Sequence, residues 1–469
     1  MVLRSRILVS VVLLCLLSSL FASQIIANAE ELQTGEPVVI FSLSGHITGA
    51  TTLAIQELLS VAESLNARLI LIELSTTGGE LGAVLNIMQL FTTSPIPIMV
   101  YIPTASQGIS GGTYLLQAAH IAAMGLASQI GACQPIAGIF PITDPAYLNN
   151  LVSLMTSQAH LHERNTTTGS RFILENLIIG PTQALATESV ELVDGSIPEL
   201  LTSLEAYTLV QRELQPNDLT YRLIPTADLG SFNYSQIVED FANIASESRY
   251  YYTPNTGLTI LSFLSHPVIS FLLLQIGIWG FIFALNAPGH MGEIISIVCI
   301  VLGLVGLGII GISLAGIVLM AFGVALLLIE AKTEISFAGL AAGFGVACFV
   351  LGGIFFLPPS QWLVPSQIMW LFQGASAAIA LSFSALFGFA IIKAAQARRL
   401  TSDFDPRLMP GAPGVAETLL DPEGRVRAFG ESWMAKVEKG VVKAGESVEV
   451  VRLDGIRLIV KRLETPPED

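Results

Sequence analysis

Between Ile294 and Ile329 the chain runs for 36 residues without a charged side chain. As a single helix this run would extend roughly 54 Å at about 1.5 Å per residue, against a hydrocarbon core of about 30 Å. The run is therefore predicted to double back, most simply at Gly308–Ser313, and to supply two membrane spans. Val268–Leu285, Phe337–Leu357 and Ile368–Ile392 supply three more, so residues 267–392 read as an all-α transmembrane bundle of five helices. Composition agrees: 52% of residues are hydrophobic, only 13% are charged, and the mean hydropathy is +0.67.

The flanks suggest an orientation. Arg4 and Arg6 precede the apolar run Ile7–Leu20, and Ala27-Asn28-Ala29 gives a small-x-small pattern, so residues 1–29 read as a secretory signal peptide. Five crossings from an exported start place the C-terminus in the cytoplasm, in a multi-pass protein of the plasma membrane. Lys332, Lys393, Arg398 and Arg399 then fall on the cytoplasmic side, as the positive-inside bias requires. Trp362 and Trp370 read as interfacial aromatics at the outer end of the fifth span. Gly303/Gly306/Gly308 and Gly339/Gly343 read as intramolecular helix-packing stripes. No Asp, Glu, Lys, Arg or His lies well inside a span, which points to an anchor rather than a transporter.

Residues 30–250 alternate short apolar runs with helical spacing. Val38–Leu43, Leu69–Leu74 and Ile96–Ile102 read as strands; Thr51–Leu65 and Leu81–Phe91 read as helices. Strands alternating with helices imply an α/β domain with a mostly parallel sheet. From Glu30 to Arg249 there are 21 acids and 6 arginines, a net of −15, which equals the charge of the whole chain. An acidic surface argues against nucleic acid or anionic lipid as a partner. Cys133 is the one cysteine in this region, so no disulfide forms within it. Residues 400–469 read as a small all-β cytoplasmic module of OB-fold size. Asp454-Gly455 is predicted to join the strands Ser447–Leu453 and Ile456–Leu463. Acids interleave with its Arg425, Arg427, Lys436, Lys439 and Lys443, again against nucleic acid.

Two loops carry the chemistry. Gly78-Gly79 lies between a strand and a helix, where bare backbone N–H groups can stabilise a developing oxyanion or where a tight turn merely needs glycine. Ser110 opens a helical stretch through Gly111-Gly112. That position suits a nucleophile, and the residues alone favour the commoner N-cap serine. The first lysine in the chain is Lys332, so neither loop belongs to a domain that has one.

Val38–Ile47 (VVIFSLSGHI), Gly78-Gly79, Ser94–Tyr101 (SPIPIMVY), Gly108–Tyr114 (GISGGTY) and Ala119–Met124 (AHIAAM) together resemble the Clp-class domain of membrane-bound serine proteases, the long-form NfeD family. The resemblance continues in order through Asn286–His290 (NAPGH), Leu328–Ala331 (LIEA), Gly414–Ala416 (GVA), Gly424–Arg427 (GRVR) and Gly430–Trp433 (GESW). It implies a ClpP/crotonase-like α/β superhelix outside the membrane, the transmembrane bundle, and an OB-fold domain inside. It makes Ser110 the nucleophile and gives Gly79 and Gly111 the oxyanion-hole N–H groups. It also implies a peptide or protein substrate, a homo-oligomer, and a stomatin-like (slipin) membrane partner. No cofactor and no metal are implied.

The departures concern the base. Such proteins carry a Ser–Lys dyad, and the lysine position falls near Ala146, within Asp144–Leu151 (DPAYLNNL). Soluble Clp proteases place a histidine just before Gln-Pro; here Cys133 precedes Gln134-Pro135. The Thr-Pro-Gly-Gly loop is Thr76-Thr77-Gly78-Gly79, and Gln107 and Ile109 flank the serine segment. A serine hydroxyl without a base is a weak nucleophile at neutral pH. His160 and His162 read as solvated helix-end residues, His120 as structural and Cys133 as a core thiol. Two readings follow: a serine endopeptidase acting on membrane-proximal apolar peptides through a non-standard base, or a catalytically degenerate scaffold for apolar peptides or stomatin-like proteins. The missing base favours the scaffold.

Overall fold

The computed structural model describes residues 36–137, 140–216, 218–284, 291–311, 313–332, 340–358, 361–400 and 410–463. The segment read as a signal peptide lies outside the described residues. The chain divides into two compact units, Met1–Ala385 and Leu386–Asp469.

In the first unit, strands β1 (Val38–Ser44), β2 (Leu69–Ser75), β3 (Gly79–Glu80), β4 (Ile98–Ile102), β5 (Gln107–Ile109), β6 (Ile121–Met124) and β7 (Gln129–Gly131) follow in chain order. The main sheet has six strands in the order Leu192–Val193, β6, β4, β2, β1, Arg249–Tyr251, and every neighbouring pair is parallel. Both faces are covered, which is why its strands read as continuous apolar runs. Val39, Ile70, Ile72 and Val100 pack under the helices Gly49–Ser64, Leu81–Thr92 and Gly111–Ala118. Val38, Ile40, Leu69, Leu71 and Met99 pack on the other face, under Ile197–Leu204 and the hairpin Tyr207–Gln215/Asp218–Pro225. A second sheet sets β5 parallel to β7, and β7 antiparallel to Ile178–Ile179.

The apolar segment forms the helices Pro267–Ala284, Met291–Ile310, Leu314–Lys332, Leu340–Ile354 and Ser366–Leu400. By length and composition Pro267–Ala284, Met291–Ile309 and Ser366–Phe389 can cross a membrane; Leu314–Glu330 and Leu340–Ile354 are shorter apolar helices. The long run breaks between Ile310 and Leu314, inside the predicted Gly308–Ser313 turn. Gly303 and Gly306 abut Leu274 and Leu264, so that part of the stripe packs within the chain. Gly308 and Gly343 meet nothing, and Gly316, Gly323, Gly345 and Gly352 make the close contacts in the next helix pair instead. Trp362 does not face the interface. It is 1% exposed and lies in a short strand, Trp362–Leu363, paired with β3. Trp370 is exposed.

The second unit contains a closed five-stranded barrel, in the order Pro413–Ala416, Glu423–Ala428, Glu431–Val437, Arg457–Arg462, Ser447–Asp454. Val426, Ala435, Val448, Val450, Leu458 and Val460 fill it. The last hairpin turns one residue later than expected. Asp454 stays in the ladder opposite Arg457, leaving Gly455-Ile456 as the loop, with Gly455 at φ 62°.

One buried cation organises the helix that begins after Ser110. The Arg164 guanidinium is bound to Glu191 at 2.7 and 2.9 Å and donates to the carbonyls of Leu116, Gln117 and Ala119. It thereby satisfies the carbonyl end of Gly111–Ala118, where a positive charge opposes the helix dipole. Beside it, His162 bonds the Ala118 carbonyl and His120 accepts the Ile98 N–H, and both rings contact Tyr221. The solvated reading therefore fits His160, which is exposed against Asp218, and not His162, which is buried where the turn after Pro145–Leu161 folds against the sheet.

Removing the cation breaks its ion pair with Glu191 and takes a donor from three carbonyls, so Arg164→Met should destabilise the fold by about 3–5 kcal/mol in denaturant titrations of the detergent-solubilised protein. The histidines add a pH dependence. Burial holds His46 and His120 down to about 4, the Arg164 charge adding to the effect at His120, and lowers His162 for the same reasons. The unfolded chain, titrating near 6.5, then binds protons that the folded chain refuses. Stability should be level above pH 6.5 and fall as pH drops from there toward 4, by up to about 1.4 kcal/mol per pH unit per histidine. Unfolding midpoints measured down this range test it, and His120→Asn should flatten the slope.

Candidate active site

Ser110 sits at a sharp strand-to-helix elbow between β5 and Gly111–Ala118. Its φ of 53° and ψ of −116° lie where a residue with a Cβ is strained, at a typical cost of about 1–3 kcal/mol. Neighbouring bonds hold it there. The Ser110 N–H donates to Gly131 O at 2.7 Å, and Ser110 O accepts from Thr113 N at 3.0 Å. The Thr113 hydroxyl binds the Gly108 and Gly131 carbonyls. The Ser110 side chain makes no capping bond, so the serine is not serving as an N-cap. Ser110 is 1% exposed, and no described residue hydrogen-bonds its hydroxyl.

The Gly78-Gly79 loop lies against this elbow. Thr76 N donates to Gln107 O, Ile109 N to Thr76 O, and the Thr76 hydroxyl clasps Gly78. Gly78 has φ +110°, and a Cβ there would overlap the Leu363 carbonyl and lie 3.2 Å from Gly111 N. A Cβ on Gly111 would lie 3.3 Å from Gly79 N. The two candidate oxyanion-hole residues are thus brought together. The ring of His46, the residue before Ile47, whose N–H donates to the Gly78 carbonyl, meets Phe372 edge-on at 5.0 Å.

The candidate bases are engaged elsewhere. Ala146 is exposed in the first turn of Pro145–Leu161. Cys133 is fully buried, its thiol lying 3.6 Å from Ser110 O and 3.5 Å from Gly131 O. Burial pushes that thiol up to about 12, so it is protonated and touches the serine's carbonyl rather than its hydroxyl. His120 and His162 are bonded within the core, and His160 is bonded to Asp218. Among the described residues no group of three or more His, Cys, Asp or Glu is placed to hold a metal.

Sequence reasoning missed the strand Trp362–Leu363. Its register sets Leu363 opposite Gly79 and Trp362 opposite Glu80, antiparallel. On the other side of β3, Ile47 takes the Gly78 carbonyl and the Glu80 N–H. Alternation along a strand then turns the N–H and C=O of Gly79 toward Leu363. The Leu363 side chain is 2% exposed and belongs to the core beneath the first face of the main sheet. The available signal was Trp-Leu-Val bracketed by Pro358-Pro359 and Pro365, an edge-strand pattern within a membrane segment.

Residues 268–393 match the model of the NfeD integral membrane domain, and residues 407–462 match that of the NfeD-like C-terminal, partner-binding domain. Over 466 residues the chain is 30% identical to the membrane-bound protease PH1510 of Pyrococcus horikoshii, covering 97% of this chain and 98% of that protein. Among solved structures, it is 28% identical to a mutant of the 1510-N membrane-bound stomatin-specific protease in complex with a substrate peptide, covering 49% of this chain and 98% of that one, with a TM-score of 0.41. It is 37% identical to the C-terminal domain of the stomatin operon partner protein 1510-C from Pyrococcus horikoshii, covering 13% and 97%, with a TM-score of 0.13. The parallel sheet with its serine elbow, the apolar helices and the closed barrel follow one another along a relative matched almost end to end, and the chain belongs to the long-form NfeD family of membrane-bound proteins with a Clp-protease-type domain.

Proposed function

We propose that this protein is a membrane-anchored strand receptor on a protease fold. It binds an extended apolar segment along the Gly79–Glu80 edge and leaves it uncleaved. One observation carries the reading: no described residue hydrogen-bonds the Ser110 hydroxyl, and no lysine precedes Lys332. Ser110 holds the nucleophile's place, and the Gly79 and Gly111 N–H groups grip a carbonyl instead of a reacting oxyanion. One solved structure named above is of a stomatin-specific protease and another of a stomatin operon partner protein, and residues 407–462 match a partner-binding domain, which together support a stomatin-like membrane protein as the partner, engaged through the barrel. A homo-oligomer is part of the proposal.

The arrangement in the membrane is five spans, with residues 30–250 outside and 400–469 inside. Two contacts support it. Gly49 lies against Ile309, and Gly79 pairs with Leu363. The turn after the second span and the loop before the fifth thus meet the same domain, as alternating crossings require. A second reading, residual endopeptidase activity at Ser110, is favoured by the strained elbow, because strand binding alone does not call for φ 53° at that serine.

A fluorophosphonate probe applied to the purified full-length protein should give no labelling that Ser110→Ala removes. Labelling should run at least about 10³-fold slower than for an enzyme with an intact dyad. Ser110-dependent labelling at an enzyme's rate would overturn the non-cleaving reading.

A further inference from the structure

We infer that the receptor edge is occupied in cis: Gln361–Val364, in the loop before the last membrane helix, is a pseudosubstrate strand that an incoming apolar peptide must displace. This rests on the strand-receptor reading above. Four observations carry it. The segment adds to β3 as an antiparallel strand with Leu363 opposite Gly79. A Cβ on Gly78 would lie 1.9 Å from the Leu363 carbonyl oxygen and 3.2 Å from Gly111 N, so that carbonyl lies against the glycine loop whose N–H groups would hold a scissile carbonyl. The Leu363 side chain fills a place in the hydrophobic core of the α/β domain, as the residue before a scissile bond fills its pocket. Trp362 and Val364 on either side are 1% exposed.

The occupant is also built to leave. Its ladder is two residues long. The buried Trp362 indole N–H has no hydrogen-bond partner among the described residues, which costs about 1–3 kcal/mol. A strand of similar apolar character would reform the same backbone bonds, so displacement exchanges like for like. The tether nevertheless gives the resident segment an effective concentration on the order of millimolar. A free peptide therefore binds more weakly than the bare edge would allow.

The test uses the full-length protein in detergent micelles. Glu80 and Trp362 face each other across the strand pair. In the double variant Glu80→Cys/Trp362→Cys, mild oxidation should cross-link the two positions. Excess peptide of sequence Gln-Trp-Leu-Val should suppress the cross-link, and the pair Glu80→Cys/Trp370→Cys should not form one. The same peptide, fluorescently labelled, should bind Leu363→Pro and Trp362→Ser at least about tenfold more tightly than wild type in anisotropy titrations. Absence of the cross-link overturns the inference, and so does unchanged peptide affinity in both loop variants. Ser110-dependent probe labelling that appears in the loop variants would overturn the non-cleaving reading and leave the cis occupant standing.

Discussion

Three stretches of backbone converge at Gly78 with no room for a side chain. One is the loop after β2, one the start of the Gly111–Ala118 helix, and one the loop ahead of the last membrane helix. Their approach is bonded as well as close. The Ile47 bridge takes one side of β3, which leaves the Gly79 N–H and C=O to the other. Thr76 then couples the same loop to the serine elbow through Gln107 and Ile109. A substituent at this point would part the Gly78-Gly79 loop, the Gly111 end of the elbow and the membrane loop together. The groove and the membrane segment are thus one mechanical element.

The Ser110 elbow is held in its backbone conformation by its neighbours. Its strain persists because Gly131, Thr113 and Cys133 bond the backbone around Ser110 and would lose those bonds if the residue relaxed. Cys133 is one of these braces: its thiol, pushed up to about 12 by burial, packs against the serine's carbonyl. Preorganised backbone N–H groups bind any carbonyl placed between them whether or not it reacts.

The parts legible in the sequence are those fixed by local pattern. Val38–Leu43 and Leu69–Leu74 form strands within a residue of their expected bounds because two buried faces demand unbroken apolar runs. The long apolar run breaks where its length forces a turn. The glycine loops and the serine were visible as motifs, although the sequence alone left N-cap and nucleophile open; the structure shows only that the Ser110 side chain makes no capping bond. What escaped was set by distant partners. Trp362 reads as an interfacial aromatic because its neighbours in sequence are membrane helices, yet its partner in the fold is Glu80. His162 reads as solvated because it follows a helix end, yet the Ala118 carbonyl and the Tyr221 ring enclose it.

Coupling between membrane and groove follows from where these distant contacts lie. Ile309 rests on Gly49 at the start of the first helix, Thr48 shares a hydrogen bond with Ser265 just ahead of the first span, and Leu363 closes on Gly79. All three join membrane helix ends to the β1–β3 side of the domain, beside the serine elbow. Net hydrogen bonds are worth about 0.5–1.5 kcal/mol each, and full burial of a leucine about 1.5–3 kcal/mol. The Leu363 contact is therefore held by only a few kcal/mol, an amount that a small displacement of the helix ends or one well-matched strand can offset. A contact of that size occupies the groove at rest and yields to a specific ligand. A tighter seal would close the site permanently, and a looser one would leave apolar surface exposed at the membrane.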